Sequence, residues 1–273
     1  MSFPEPRRRP QIMGVVNVTP DSFSDGGRYL SPAAALDHAR ALIDAGADIL
    51  DIGGESTRPG ADVVPVEEEM DRVVPVIEAL ASRVETPLSV DTRNPATARA
   101  AVGAGAAIWN DVSALTHAPD GLATAATLDC QLVLMHARGD PKTMQAAPHY
   151  DDVVAEVAAF LRDRVAACEE AGISRRRIFV DPGIGFGKTL AHNLALLGNL
   201  EAISPIAPVL LGASRKRFIA AIDRDGPAET RLGGSIAAAL AGAAQGVAIV
   251  RVHDVAETRQ ALAVFEAINR ASH

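Results

Sequence analysis

The chain has 273 residues, of which 48% are apolar, and it contains 22 glycines and 17 prolines. This composition is typical of a globular protein with a large buried core, and it excludes disordered, collagen-like and low-complexity proteins. The formal net charge is −8, and the longest basic run is Arg7 to Arg9. Because nucleic-acid-binding proteins present a broad basic surface, we expect no nucleic-acid partner.

The sequence also argues against export and against a membrane span. The apolar run behind the N-terminal arginines ends at Asn17 and is too short for the core of a signal peptide. The segment from Leu232 to Val250 is uncharged and long enough to cross a bilayer, but Gly246 divides it into an Ala-rich half and a β-branched half. That division favours a helix followed by a buried strand. Cys130 and Cys168 show no metal-binding spacing and are interpreted as core residues. Because the sequence indicates neither an export signal nor a membrane span, we predict a cytoplasmic protein.

Eight short apolar runs recur along the chain, each followed by a polar loop and an amphipathic or Ala-rich stretch. They lie near residues 12–18, 48–53, 87–91, 107–112, 131–136, 177–181, 208–213 and 247–252. The runs are apolar on both faces, as strands in a helix-covered parallel sheet are. Ser31-Pro32, Asn94-Pro95 and Thr189 are typical of helix starts and support this division.

Eight such units in a chain of this length take about 34 residues each, which agrees with a (β/α)8 barrel of about 250 residues. We therefore predict an α/β fold with a single domain, a (β/α)8 TIM barrel over residues 12–273, preceded by an N-terminal extension over residues 1–11. A doubly wound open sheet is the alternative.

Polar residues stand at the carboxyl end of each predicted strand. A barrel brings these ends to one mouth, where active sites of this fold lie. Any one of them could instead cap the next helix or turn, but their coincidence at eight strands predicts a site. They are Asn17, Asp51, Asp91, Asn110, His136, Asp181, Ser214, Arg251 and His253.

The carboxylates Asp91 and Asp181 are open to three interpretations. They could be a glycosidase pair, metal ligands, or acceptors for an amino-substituted heterocycle. Only the last explains why an amide, Asn110, and a cation, Lys216, accompany them, because such a ring presents donors on one edge and an acceptor on another.

The loops supply two further signals. The segments Asn17 to Gly27 and Gly53 to Gly60 are polar and Gly-rich, and Phe23 stands in the first where no core explains it; such loops are typical of lids over a ligand. Arg251 and His253 share a face of the last strand, and Ser214 to Arg217 follows the seventh strand. Loops after strands seven and eight commonly bind phosphate in this fold, so an anion is expected there.

Together these motifs resemble the bacterial dihydropteroate synthase family, and they cover nearly the whole chain. Such a set is highly specific, because the segments occur in order from residue 13 to residue 254. They are Met13 to Gly27, Asp51 to Gly60, Ser89 to Thr92, Asn110 to Ser113, Leu134 to His136, Thr143 to Gln145, Asp181 to Thr189, Ser214 to Lys216 and Arg251 to Asp254.

The resemblance implies that p-aminobenzoate is joined to 6-hydroxymethyl-7,8-dihydropterin diphosphate, with release of diphosphate, and that sulfonamides compete with p-aminobenzoate. It also implies three groups of site residues, of which Asn17, Asp91, Lys216, Arg251 and His253 would serve catalysis. The pterin would be held by Asp91, Asn110, Met135, Asp181 and Lys216; the diphosphate by Asn17, through Mg²⁺, with Arg251 and His253; and p-aminobenzoate by Phe23, Thr57, Arg58, Pro59, Phe186 and Ser214.

Two other activities share part of this pattern. A methyltransferase barrel that binds methyltetrahydrofolate would need the pterin cluster but not Arg251, His253 and the two loops, and a pterin carrier would bind without turnover. The family is commonly dimeric, so a homodimer is expected. Ala137 and Arg138 stand where many relatives carry Met-Gln, which puts the packing of that loop in question.

Overall fold

The structure is a computed structural model, and it describes residues 9–18, 32–55, 64–139 and 144–271. Strands and helices alternate through these residues. The strands are β1 Gln11–Asn17, β2 Ile49–Gly53, β3 Leu88–Asp91, β4 Ile108–Asp111, β5 Gln131–Met135, β6 Ile178–Asp181, β7 Leu210–Leu211 and β8 Ile249–Val252. The helices are α1 Pro32–Asp44, α2 Val66–Ala81, α3 Pro95–Gly103, α4 Gly121–Thr127, α5 Val153–Glu170, α6 Leu190–Gly198, α7 Arg217–Ile222, α8 Leu232–Ala244 and α9 Val255–Ala271.

The eight strands are parallel and form a closed barrel. They pair in the order β6-β5-β4-β3-β2-β1-β8-β7, and a parallel bridge between Val180 and Val209 joins the two ends of this series. The predicted (β/α)8 barrel is thus confirmed, and the open doubly wound sheet is wrong. The predicted division into residues 1–11 and 12–273 remains a prediction; β1 begins at Gln11.

The segment from Leu232 to Val250 is a helix followed by a strand, as predicted. Helix α8 ends at Ala244 and β8 begins at Ile249. Gly246 between them has a φ of +75°, a backbone conformation that glycine adopts at little cost and that commonly ends a helix. Among the helices that the structure describes, none is long and apolar enough to cross a membrane. Cys130 and Cys168 are buried and free.

The strands place several polar side chains directly above an apolar layer inside the barrel. Met13, Ile49, Ile108, Val133, Leu210 and Ile249 pack together as one buried cluster. Because side chains alternate along a strand, the residue two positions further points to the same face. On β2, β4, β5 and β8 this residue is Asp51, Asn110, Met135 and Arg251, respectively. The alternation therefore puts predicted site residues at the carboxyl-terminal mouth.

Candidate active site

Arg251 lies at the centre of the mouth and joins two carboxylates from other strands. Its Nε donates to Asp51 Oδ2 at 2.6 Å, and its Nη2 donates to Asp91 Oδ2 at 2.7 Å. Asp51 is fully buried, so these are charge-assisted hydrogen bonds in a largely dry environment. The ion-pair cluster connects β8 with β2 and β3.

Asn110 joins the same cluster from β4. Its Nδ2 donates to Asp51 Oδ2 at 3.1 Å. Oδ1 of Asp51 and Oδ1 of Asp91 are buried and have no hydrogen-bond partner among the described residues. Buried acceptors in native proteins are rarely left unpaired, so the two oxygens are well suited to accept from a ligand that carries N–H groups. Burial raises the pKa of Asp91 to about 7, although Arg251 opposes the rise.

Asp181 and Lys216 form a second part of the site, around Gly212. A Cβ at Gly212 would lie 3.6 Å from Asp181 Oδ2, 3.8 Å from Lys216 Nζ and 4.0 Å from Arg251 Cβ, so the missing side chain leaves these three groups facing one space. Asp181 Oδ1 accepts from the Gly183 amide at 2.7 Å. Burial raises the pKa of Asp181 and lowers that of Lys216 to about 8, and the attraction between the two charges opposes both shifts.

The loops after β7 and β8 are connected by two polar contacts. Ser214 Oγ lies 3.0 Å from His253 Nδ1 and accepts from the His253 amide at 3.2 Å. Arg215 forms a salt bridge with Asp254 and has a φ of +58°, which is rare for a residue with a side chain. These contacts fix the turn at Arg215, which separates Ser214 from Lys216, and they hold Ser214 beside His253.

Met135 and Phe186 are the apolar members of the mouth. Met135 is buried at the end of β5, and its Cγ lies 3.3 Å from the position that a Cβ of Gly183 would take. The Phe186 ring centroid lies 4.7 Å from Lys216 Nζ, within the range of a cation–π interaction. Both side chains therefore border the Asp181–Lys216 region.

Four residues predicted for the p-aminobenzoate pocket, Phe23, Thr57, Arg58 and Pro59, lie outside the described residues. Asn17 ends β1 and is paired in register with Gly53 of β2, so it lies at the same mouth as the ion-pair cluster.

Three groups at the mouth have contacts that the sequence analysis did not predict. Asp51 appeared there only as one of the polar strand ends, yet it accepts hydrogen bonds from both Arg251 and Asn110. Asp51 stands two residues after Ile49, and residues at this spacing share one face of a strand. This spacing was the signal that could have indicated that Asp51 points into the barrel. Lys188 and His136 also meet in a buried contact; no spacing in the sequence indicates it, because the two residues are 52 positions apart.

The ligand atoms available at the mouth indicate which metal ion Asn17 could hold. Among the described residues, no group of three or more His, Cys, Asp or Glu side chains could hold a metal ion. The amide oxygen of Asn17 is a hard donor, and Mg²⁺ usually keeps several waters and takes only one or two protein ligands beside phosphate oxygens. Asn17 therefore fits a magnesium ion that arrives with a diphosphate and not a resident metal cage.

Comparison with known proteins agrees with this geometry. The profile of the family described as "Pterin binding enzyme" matches residues 13–253. The dihydropteroate synthase of Escherichia coli K12 is 51% identical over 94% of this chain and 91% of its own length.

Two solved structures from Xanthomonas albilineans are also similar. The dihydropteroate synthase with 4-aminobenzoic acid has a TM-score of 0.90 and 53% identity, covering 96% of this chain and 93% of that one. The complex with 7,8-dihydropteroate has a TM-score of 0.87 and 50% identity, covering 96% and 94%. With the family profile and such relatives spanning almost its whole length, the chain belongs to the dihydropteroate synthase family of pterin-binding enzymes.

Proposed function

We propose that the protein condenses 6-hydroxymethyl-7,8-dihydropterin diphosphate with p-aminobenzoate to give 7,8-dihydropteroate and diphosphate, a transferase reaction of folate biosynthesis. One observation carries the proposal: a largely buried cluster of carboxylates, an amide and a lysine shares one barrel mouth with Arg251 and the loops after β7 and β8. A flat, donor-rich heterocycle with an anionic leaving group needs both kinds of group within reach.

The pterin would bind at Asp91, Asn110, Asp181 and Lys216, with Met135 packing on its ring. Carboxylate oxygens accept from the exocyclic amine and the ring N–H, and the Lys216 ammonium donates to the ring carbonyl. The unpaired Oδ1 of Asp91 supports this assignment, because a ligand N–H would satisfy it.

The diphosphate would be held by Arg251 and His253, and Asn17 would hold Mg²⁺. When bound, Mg²⁺ neutralises negative charge on the diphosphate oxygens. Arg251 already bonds to Asp91 and stands two positions before His253 on the same strand, so it belongs to both proposed regions. It can stabilise the charge that grows on the leaving group without moving far.

The reaction breaks the C–O bond between the exocyclic methylene and the diphosphate and forms a C–N bond to the arylamine. The electron pair of the C–O bond leaves with diphosphate, and the electron-rich dihydropterin supports the positive charge on the methylene. The amine nitrogen supplies its lone pair to that carbon, and its proton then passes to solvent water. Because the arylamine is neutral and weakly nucleophilic, its placement matters more than a strong base.

The arylamine would occupy a pocket of Phe186 and Ser214, completed by Phe23, Thr57, Arg58 and Pro59. Phe186 beside Lys216 and Ser214 beside His253 border the pterin and anion regions, respectively. The similar Xanthomonas albilineans enzyme was solved with 4-aminobenzoic acid, which supports such a pocket, and sulfonamides are expected to compete for it.

The decisive experiment mixes the protein with pterin diphosphate, p-aminobenzoate and Mg²⁺ and measures diphosphate release and dihydropteroate formation. We expect turnover that requires both substrates, and its loss in Asp181→Asn. A pterin-binding methyltransferase would release no diphosphate, and a pterin carrier would bind the pterin without turnover; either result would refute the proposal.

A homodimer and a cytoplasmic location remain predictions. Sedimentation equilibrium of the full chain measures the first, and cell fractionation measures the second.

A further inference from the structure

The loops after β5 and β6 meet in direct backbone contact. Gly183 has a φ of +68°, and a Cβ there would lie 1.9 Å from the carbonyl oxygen of His136. Gly187 has a φ of +62°, and a Cβ there would lie 2.2 Å from the carbonyl oxygen of Arg138. Tyr150 Oη also donates to the Gly187 carbonyl at 2.9 Å. The loop that carries Phe186 is therefore seated on the loop after β5 at both of its ends.

Lys188 is buried inside this contact, with 3% of its surface exposed. Its ammonium lies 3.0 Å from His136 Nδ1, and it donates to the carbonyl oxygens of His136 at 3.3 Å and Phe186 at 3.0 Å. An ammonium has three donors, and these three acceptors match them. The side chain thus ties the end of β5 to the backbone of Phe186.

His136 is held in the form that this contact requires. Its ring packs edge-on against Phe160, with the centroids 5.0 Å apart, and lies 6.1 Å from the ring of Tyr150. To accept from an ammonium, Nδ1 must be unprotonated, and burial lowers the pKa of His136 to about 3. The imidazole is therefore neutral, and in the tautomer that carries its proton on Nε2 the Nδ1 atom accepts from the Lys188 ammonium.

The burial of Lys188 is costly for a purely structural contact. Burial lowers the pKa of Lys188 to about 7, with the charge of Asp181 opposing the shift, so the charged form is disfavoured in the folded chain. By contrast, Arg177 donates to the carbonyl oxygens of Cys130 and Leu128 from a partly buried position at the other end of the barrel. A cation can thus connect two backbone carbonyl oxygens there while it keeps part of its hydration.

We propose that Lys188 is a positioning residue for the arylamine pocket, because its ammonium anchors the backbone of Phe186 to His136 while Lys216 lies against the Phe186 ring. This inference rests on the proposed function, in which Phe186 borders the arylamine. Lys188 acts through Phe186 and need not touch either substrate.

The test compares Lys188→Met, which keeps the apolar stem, with Arg177→Met as the matched control. The KM of each substrate is measured with the other saturating. In Lys188→Met the KM for p-aminobenzoate should rise about tenfold, as expected for the loss of hydrogen bonds to a charged group, and the KM for pterin diphosphate should change less than about twofold. Arg177→Met should leave both KM values close to those of the wild type. Equal rises for both substrates in Lys188→Met, or the same rise in the control, would overturn the proposal.

A double-variant cycle then asks whether Lys188 acts through Phe186. In a Phe186→Ala background, adding Lys188→Met should change the KM for p-aminobenzoate less than about twofold, because the ring to be positioned is absent. A full tenfold effect in that background would refute the mechanism. If Lys188→Met does not fold, His136→Phe removes one acceptor and keeps the ring packing, and it should raise the same KM selectively; an unselective effect would refute the proposal.

Failure of this inference differs from failure of the proposed function. If the wild-type protein releases no diphosphate, the proposed function is wrong. If it turns over and the variants show no selective change in KM, only the role of Lys188 is wrong.

Discussion

Arg251 bonds to two carboxylates in the site, and the polar residues at the strand ends in the sequence indicated neither contact. The family resemblance implied that Arg251 binds the diphosphate, and in the structure Arg251 also bonds to Asp51 and Asp91. The same guanidinium therefore has a structural role before any ligand binds. Removing one partner of a buried ion pair leaves an uncompensated charge, which is strongly destabilising.

Arg251→Met is expected to lower the free energy of unfolding by about 3–5 kcal/mol, as for other broken buried pairs. Adding Asp91→Asn removes one of the two uncompensated carboxylates and should recover part of the loss. Urea unfolding of the three proteins measures both effects. Wild-type stability in Arg251→Met would show that the pair does not stabilise the fold.

Lys216 should affect stability in a pH-dependent way. Its pKa falls from 10.5 to about 8 in the folded chain, so the cost of burying the ammonium is fully present below pH 8 and disappears as the pH rises toward 10.5. Lys216→Met lacks this cost, so its Tm relative to that of the wild type should fall as the pH rises from about 8 toward 10.5, by about 2–4 °C for each kcal/mol of the cost.

Thermal unfolding between pH 7 and pH 10 tests this expectation, and the Tm of Lys216→Met minus that of the wild type should fall as the pH rises. Arg217→Met is the control, because Arg217 is the adjacent residue and is exposed. A Tm difference, variant minus wild type, that rises with pH would contradict the assignment of the buried charge to Lys216.

At the scale of elements, the short β7 and the turn after it illustrate how local backbone conformation places side chains. Only Leu210 and Leu211 pair as β7, and the chain then turns through Arg215 in the left-handed region. The salt bridge to Asp254 and a hydrogen bond from the Arg215 amide to Ser235 Oγ at 2.8 Å hold this turn. The turn sets the spacing between Ser214 and Lys216.

Arg215→Gly and Arg215→Ala separate the backbone from the salt bridge. Both lose the contact to Asp254, but glycine adopts a positive φ without the steric cost of a Cβ. Arg215→Gly should therefore be more stable than Arg215→Ala by about 1 kcal/mol in thermal unfolding. Asp254→Asn, which keeps the arginine, reports the salt bridge alone; equal stability of the Gly and Ala variants would show that the turn is not strained.

On the scale of the whole molecule, the site couples distant parts of the chain. Asp51 and Arg251 are 200 positions apart and bonded, and closure through Val180 and Val209 keeps β6 beside β7. A ligand that binds residues of β3, β4 and β6 together should therefore stabilise the entire barrel against unfolding. By linkage, the free energy of unfolding rises by about 2.7 kcal/mol when the ligand concentration is about 100 times Kd.

We expect 6-hydroxymethyl-7,8-dihydropterin to raise the Tm of the wild-type protein and to have a much smaller effect on Asp181→Asn. The single tryptophan, Trp109, is fully buried, so its fluorescence can follow the transition. A ligand that raises the Tm of both proteins equally would place the pterin away from Asp181.

The sequence by itself determined the repeating strands and helices, because apolar runs covered on both faces and glycine stops such as Gly246 are local features. It also predicted which strand ends carry polar groups, including Asp91, Asn110, Asp181 and Arg251. Only the tertiary structure decided which of these groups touch. The closure of the barrel sets those distances, so the pairing of Asp51 with Arg251 and the burial of Lys188 against His136 depend on contacts between residues far apart in the chain, for which the sequence contains no local pattern.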